Sequence, residues 1–130
     1  MNSSARRAYV DAVVRNYVRL PGTPPRPSRA DRAYAGLLHD RGVPLRLVYA
    51  GFVLAIARRE VRSPDLPPLG AIRTLSFFHG AIEEALALQL DPVYVQYLVA
   101  KIKPLVDAKA ATLARAAATD RRIPALSDRR

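Results

Sequence analysis

The side chains with catalytic or ligating capacity are few in this chain, and their spacing works against chemistry. His39 and His79 are its two histidines, too far apart in sequence to build a local paired-histidine metal site. His79 and Glu83 stand one helical turn apart, yet two ligands without a third describe a surface pair rather than a metal centre. Glu83 and Glu84 are neighbours, so on a helix they diverge by about 100° and form no general acid/base couple. Tyr94 and Tyr97 share a helical face without a base or metal to activate them, which reads as packing or interface aromatics. The chain has no cysteine, so thiolate chemistry, disulfides and Cys-ligated metal sites are excluded. Neither a Walker-type loop nor a Gly-x-Ser-x-Gly turn is present. The expectation is a non-enzyme that holds no metal and no cofactor.

Arginine is where chemistry concentrates. Of 21 basic residues 18 are Arg, and their placement is uneven: residues 1–62 carry net +8, residues 63–113 net −1 and residues 114–130 net +3. A guanidinium fork suits bidentate contact with phosphate or carboxylate. Binding a phosphate backbone needs positive charge in a patch rather than base-reading geometry. The candidates are Arg6, Arg7, Arg15, Arg19, Arg26, Arg29, Arg32 and Arg46, supplemented by Arg115, Arg121, Arg122, Arg129 and Arg130. The expected ligand is nucleic acid, DNA ahead of RNA. The competing expectation is an interaction module, in which the face from Tyr94 to Lys103, with Tyr94, Tyr97 and Lys101, and an Ala-rich C-terminal helix mediate homodimerisation or docking while the arginines engage an acidic protein partner.

These residues must be positioned by helices. Apolar residues make up 50% and charged residues 25% of 130 residues, enough for one core. Apolar spacing is helical throughout, with no sustained period-two run. The fold class expected is all-α, a compact bundle of five to six helices with two proline-rich connectors, as a single domain over residues 1–119 and a basic flexible tail over 120–130. Helix 1 is expected from Ser3 or Ser4 to about Val18. Helix 2 opens at a Ser28 cap with Asp31 in a variant capping box, and ends at Gly42. Helix 3, Pro44 to about Arg59, is apolar on nearly every face and should be the centre of the core. Helix 4 is expected over Ile72 to Leu88, with Gly80 admitting a close neighbour. Helix 5 starts at an Asp91 cap with Pro92 in the first turn, and Pro104 should kink or restart it before an Ala-rich helix over Leu105 to Thr119. Leu20 to Pro27 reads as an extended polyproline connector, and Ser63 to Gly70 as a second proline-rich one.

The stretch from Ala35 to Val48 has the outline of a helix-turn-helix. Its second helix, however, offers only Arg46 and Tyr49 as exposed polar readers, so a plain helical hairpin is expected. The N-terminal segment lacks the apolar run of a secretory signal, and the longest uncharged apolar run, Leu47 to Ala57, falls short of the roughly 20 residues that span a bilayer. The expected location is cytoplasmic, without membrane association.

Arg41-Gly42-Val43-Pro44-Leu45, Ala57-Arg58-Arg59, Pro67-Pro68-Leu69 and Ile72-Arg73-Thr74-Leu75-Ser76-Phe77-Phe78 together resemble a group of small uncharacterised bacterial helical proteins. The isoleucine followed by an aromatic pair is also faintly similar to the helical domain of DnaD-like replication proteins. The resemblance covers about residues 28 to 100 and implies a DNA-binding accessory role in replication or mobile-element maintenance. This chain lacks the winged-helix domain such proteins often carry, and none of their functional residues maps onto it.

Overall fold

Among the described residues, four α-helices and one 3-10 turn pack around a fifth, central helix: α1 Ser3–Tyr17, α2 Arg29–Asp40, the central α3 Leu45–Glu60, the 3-10 turn Leu75–Phe78, α4 His79–Leu88 and α5 Pro92–Asp128. The computed structural model describes residues 3–61, 65–67 and 69–128, and residues 120–128 by their backbone alone. There is no strand among the described residues, so the all-α bundle expected from the apolar spacing is what forms. No helix among them is long and apolar enough to cross a membrane.

Helix α3 buries Leu47, Val48, Ala50, Gly51, Phe52, Leu54, Ile56 and Ala57, on most of its circumference, and packs against α1, α4, α5 and the 3-10 turn. The Ala35 to Val48 motif forms as two helices joined by a turn at Gly42, φ +74°. The aromatic centre joins Phe52 to Phe78 at 5.0 Å and Tyr17 to Phe78 at 6.0 Å between ring centroids, both edge-to-face. Where α3 crosses α4, a Cβ on Gly51 would lie 2.7 Å from Ile82 Cα and 2.9 Å from Ile82 N. Glycine is therefore what lets the two backbones approach. Gly80, the residue expected to admit a neighbour, has open space around it.

The Ser28 and Asp31 box forms as read: Ser28 Oγ accepts from Asp31 N at 3.0 Å, and Asp31 Oδ2 accepts from Ser28 N at 2.9 Å. The buried carboxylate does a second task, because Asp31 Oδ1 accepts from Leu75 N at 2.9 Å. That long-range bond, together with Ile72 N donating to Gly22 O at 2.8 Å, holds residues 72–75 in place through partners distant in sequence rather than through an intrahelical ladder. Helix 4 accordingly begins at His79 behind a 3-10 turn, not at Ile72.

The first connector is a set of tight turns rather than an extended polyproline segment. Pro21 and Gly22 (φ +83°) make a turn closed by Thr23 N donating to Leu20 O. The buried Thr23 hydroxyl lies within hydrogen-bond distance of Tyr17 O at 2.9 Å and Leu20 O at 2.8 Å. Lys109 of α5 closes over this knot, donating from Nζ to Leu20 O at 2.7 Å and to Thr23 O at 3.0 Å. Burial holds that ammonium below the usual lysine range. In the second connector, residues 62–64 and 68 lie outside the described residues.

Helix α5 starts as expected, with Asp91 Oδ1 accepting from Val93 N at 2.9 Å. It then runs without interruption through Pro104 to Asp128, so the restart expected there does not occur: proline removes a single N–H from the ladder, and the helical turns on either side of it continue. The boundary expected after residue 119 falls inside this helix. The side chains of 120–130, with Arg121, Arg122, Arg129 and Arg130, lie outside the described residues.

Candidate nucleic-acid interface

Charge spacing on α1 and α2 gathers arginines at one place. Arg6 and Arg7 stand in the first two turns of α1, and Arg29 and Arg32 in the first turn of α2. All four line an open cleft of about 520 Å³ floored by Val10 and Ala33. No carboxylate lines this cleft. Arg29 sits at the amino end of its helix, where the backbone dipole is also positive, so the two fields add toward an incoming anion.

The four are not equivalent. Arg6 makes a bidentate bond with Asp40, Nε to Oδ1 at 3.0 Å and Nη2 to Oδ2 at 3.1 Å, and its guanidinium lies so close over Gly36 that a Cβ there would collide with it. This contact is also what holds the Asp40 carboxyl down at about 2, with a smaller contribution from His39. Arg32 donates to Asp11. Arg7 and Arg29 are exposed and form no ion pair among the described residues. The cleft therefore presents two free guanidinium groups flanked by two whose partners are solvent-exposed carboxylates. An exposed ion pair contributes only about 0–1 kcal/mol, so a phosphate can displace either carboxylate cheaply.

The remaining candidates lie elsewhere. Arg15 and Arg26 are exposed and unpaired among the described residues, outside the cleft lining. Arg19 and Arg46 stand at two ends of a groove between α3 and α5, and Arg46 donates to the Gln89 amide at 3.3 Å. Tyr94, Tyr97 and Lys101 form an exposed ladder on α5: the tyrosine rings stack at 6.5 Å with 22° between planes, and Lys101 Nζ sits 5.3 Å from the Tyr97 centroid.

Of the residues weighed for catalysis, His79, Glu83 and Glu84 are engaged in ties between helices. Glu83 takes Arg41 at 2.6 and 3.2 Å, and Glu84 takes Arg58 at 2.8 and 2.6 Å. The divergence of adjacent residues on α4 thus sends one carboxylate to the α2–α3 turn and the other to α3. His79 Nδ1 meets the Tyr34 hydroxyl at 2.9 Å and stands 3.9 Å from Glu83. No group of three or more potential metal ligands comes together among the described residues. Sequence reading missed Arg41 and Arg58 as structural arginines, because their partners are 42 and 26 residues away and no local pattern announces them. No family model, curated protein or solved structure matches this chain.

Proposed function

We propose that this chain binds nucleic-acid backbone, DNA ahead of RNA, through the α1–α2 cleft and without reading sequence. The observation that carries the proposal is the convergence of Arg6, Arg7, Arg29 and Arg32 on one open cleft, two of them lacking an ion-pair partner among the described residues. An open cleft lined by guanidinium groups contacts phosphates through charge and forked donors. A service in replication or mobile-element maintenance, implied by the resemblance of residues 28 to 100, would use such a backbone clamp.

The experiment is anisotropy of labelled DNA and RNA duplexes and single strands with single charge reversals. Arg7→Glu and Arg29→Glu should each weaken binding by about tenfold, irrespective of probe sequence. Arg73→Glu changes net charge equally at an exposed site outside the cleft, and should cost less than about threefold. Equal losses for all three variants would reject the cleft as the site. A second reading, a docking module, is favoured by the exposed Tyr94–Tyr97–Lys101 ladder. It requires that Tyr94→Ala with Tyr97→Ala change oligomeric state or partner capture while leaving nucleic-acid affinity alone.

A further inference from the structure

Helix α5 has a second apolar face, distinct from its tyrosine ladder, exposed at Pro92 and Val99 and buried at Ile102. Pro92, Val95, Val99, Ile102 and Val106 recur at three- and four-residue steps, so they form one stripe. Tyr49 and Val53 of α3, both half-buried, oppose it. Along the two helices lie adjoining cavities of about 300 and 340 Å³ that share Tyr49, Val53 and Val99, the second walled also by Asn16, Arg19 and Leu20 at the end of α1, and together they make an apolar groove. Along α5 the groove runs from Pro92 to Val106, about 21 Å at 1.5 Å per residue, the length of roughly four helical turns.

Its ends are cationic. Arg46 closes one end, and Arg19 with Lys103 the other. Lys103 is paired with Asp107 at 2.8 Å, so Arg46 and Arg19 are the end cations that form no ion pair among the described residues. No carboxylate lines either cavity.

We infer that this groove docks an amphipathic helix of an acidic partner protein, its apolar anchors seated on Val53 and Val99 and its carboxylates meeting Arg46 and Arg19. An open trough with two apolar helical walls fits a helix laid lengthwise, read as anchors at i, i+3, i+4 and i+7. Charge selects the partner. The exposed faces of α1, α2 and α5 carry Arg7, Arg15, Arg29, Lys101 and Arg115, and the two glutamates of α4 are held by Arg41 and Arg58, so a second copy laid in the groove would bring like charges to both ends. The inference stands independently of the α1–α2 cleft.

The test is a methyl NMR titration of the full chain with two synthetic 16-residue helices that share one Leu/Ile face, one carrying Glu and the other Lys on the outer face. The Glu peptide should shift the Val53 and Val99 methyls saturably and bind at least tenfold tighter than the Lys peptide. Val99→Asp, at a position already partly exposed, should lower that affinity at least tenfold while leaving oligonucleotide binding unchanged. Arg19→Glu combined with Arg46→Glu should reverse the preference between the peptides. Four results would overturn the inference: equal binding of both peptides, shifts confined to residues outside the groove, the same methyl shifts from protein concentration alone, which would make a second copy the occupant, or the same shifts produced by oligonucleotide.

Discussion

One methyl group added at Gly51 tests the packing that organises the whole bundle. Glycine to alanine in a helix interior ordinarily gains up to about 1 kcal/mol in helix propensity. At Gly51 the new Cβ would stand 2.7 Å from Ile82 Cα and 2.9 Å from its amide nitrogen. These are backbone atoms that no rotamer change can withdraw. Relief requires α3 and α4 to separate, and overpacking of this kind costs about 1–3 kcal/mol. With the clash at the upper end of that range, Gly51→Ala should be net destabilising by about 2 kcal/mol, which lowers the melting temperature by roughly 8 °C for a domain of this size. Gly80→Ala is the internal control: a Cβ there meets nothing within 4 Å, so the same substitution should stabilise by a few tenths of a kcal/mol. Urea unfolding of both variants reads the sign directly. A Gly51→Ala protein as stable as wild type, or more so, would refute the close α3–α4 crossing.

Three further substitutions follow from the polar ties. Asp31→Ala strands the Ser28 and Leu75 amides, and should cost about 3 kcal/mol in chemical denaturation, whereas Asp31→Asn, which keeps one acceptor, should cost about half as much; equal costs would deny the double role of the carboxylate. The folded Asp40 carboxyl titrates at about 2 against an ordinary 3.8, chiefly through the Arg6 hydrogen bond. A depressed value means that this pairing contributes fully above the unfolded pKa and is lost as pH falls from about 4 toward about 2. Arg6→Gln should therefore bring the Asp40 NMR midpoint back up toward the ordinary range, and an unmoved midpoint would contradict the pairing. Lys109→Met removes the donor to Leu20 O and Thr23 O and should destabilise by about 1 kcal/mol, with faster amide exchange at Thr23; unchanged exchange would show that α5 does not clamp the first connector.

Much of this fold is legible where local chemistry decides it. Ser28 with Asp31 and Asp91-Pro92 each mark a helix start through backbone amides capped within three residues, Pro44 marks one through its fixed φ, and all three starts form. The misread places are those where the deciding partner is distant. Ile72 to Thr74 carry a helical pattern, yet Leu75 N is taken by a carboxylate 44 residues away, so the helix begins later. Leu20 to Pro27 has a polyproline composition, yet a positive φ at Gly22 and the burial of Thr23 fold it into turns. Gly51 and Gly80 look alike in sequence, and only the position of Ile82 distinguishes them. The same holds for the candidate site. Counting arginines located the basic half of the chain, but pairing divided it: Arg6, Arg32, Arg41 and Arg58 each meet a carboxylate between 21 and 42 residues away, leaving Arg7 and Arg29 as free charges in the cleft.

The salt dependence of DNA binding counts the guanidinium groups that meet phosphate. Each phosphate neutralised contributes about 0.9 to the slope of log K against log salt on duplex DNA. If only the unpaired Arg7 and Arg29 engage phosphates, the slope should be about −2, and if Arg6 and Arg32 exchange Asp40 and Asp11 for phosphates as well, it should approach about −4. The steeper case corresponds to roughly a 150-fold loss of affinity between 50 and 200 mM salt. A slope in this range is expected, held on sequence-scrambled probes and reduced by about one for each of Arg7→Glu and Arg29→Glu. A flat salt response, or a slope that neither substitution changes, would contradict phosphate binding through the cleft.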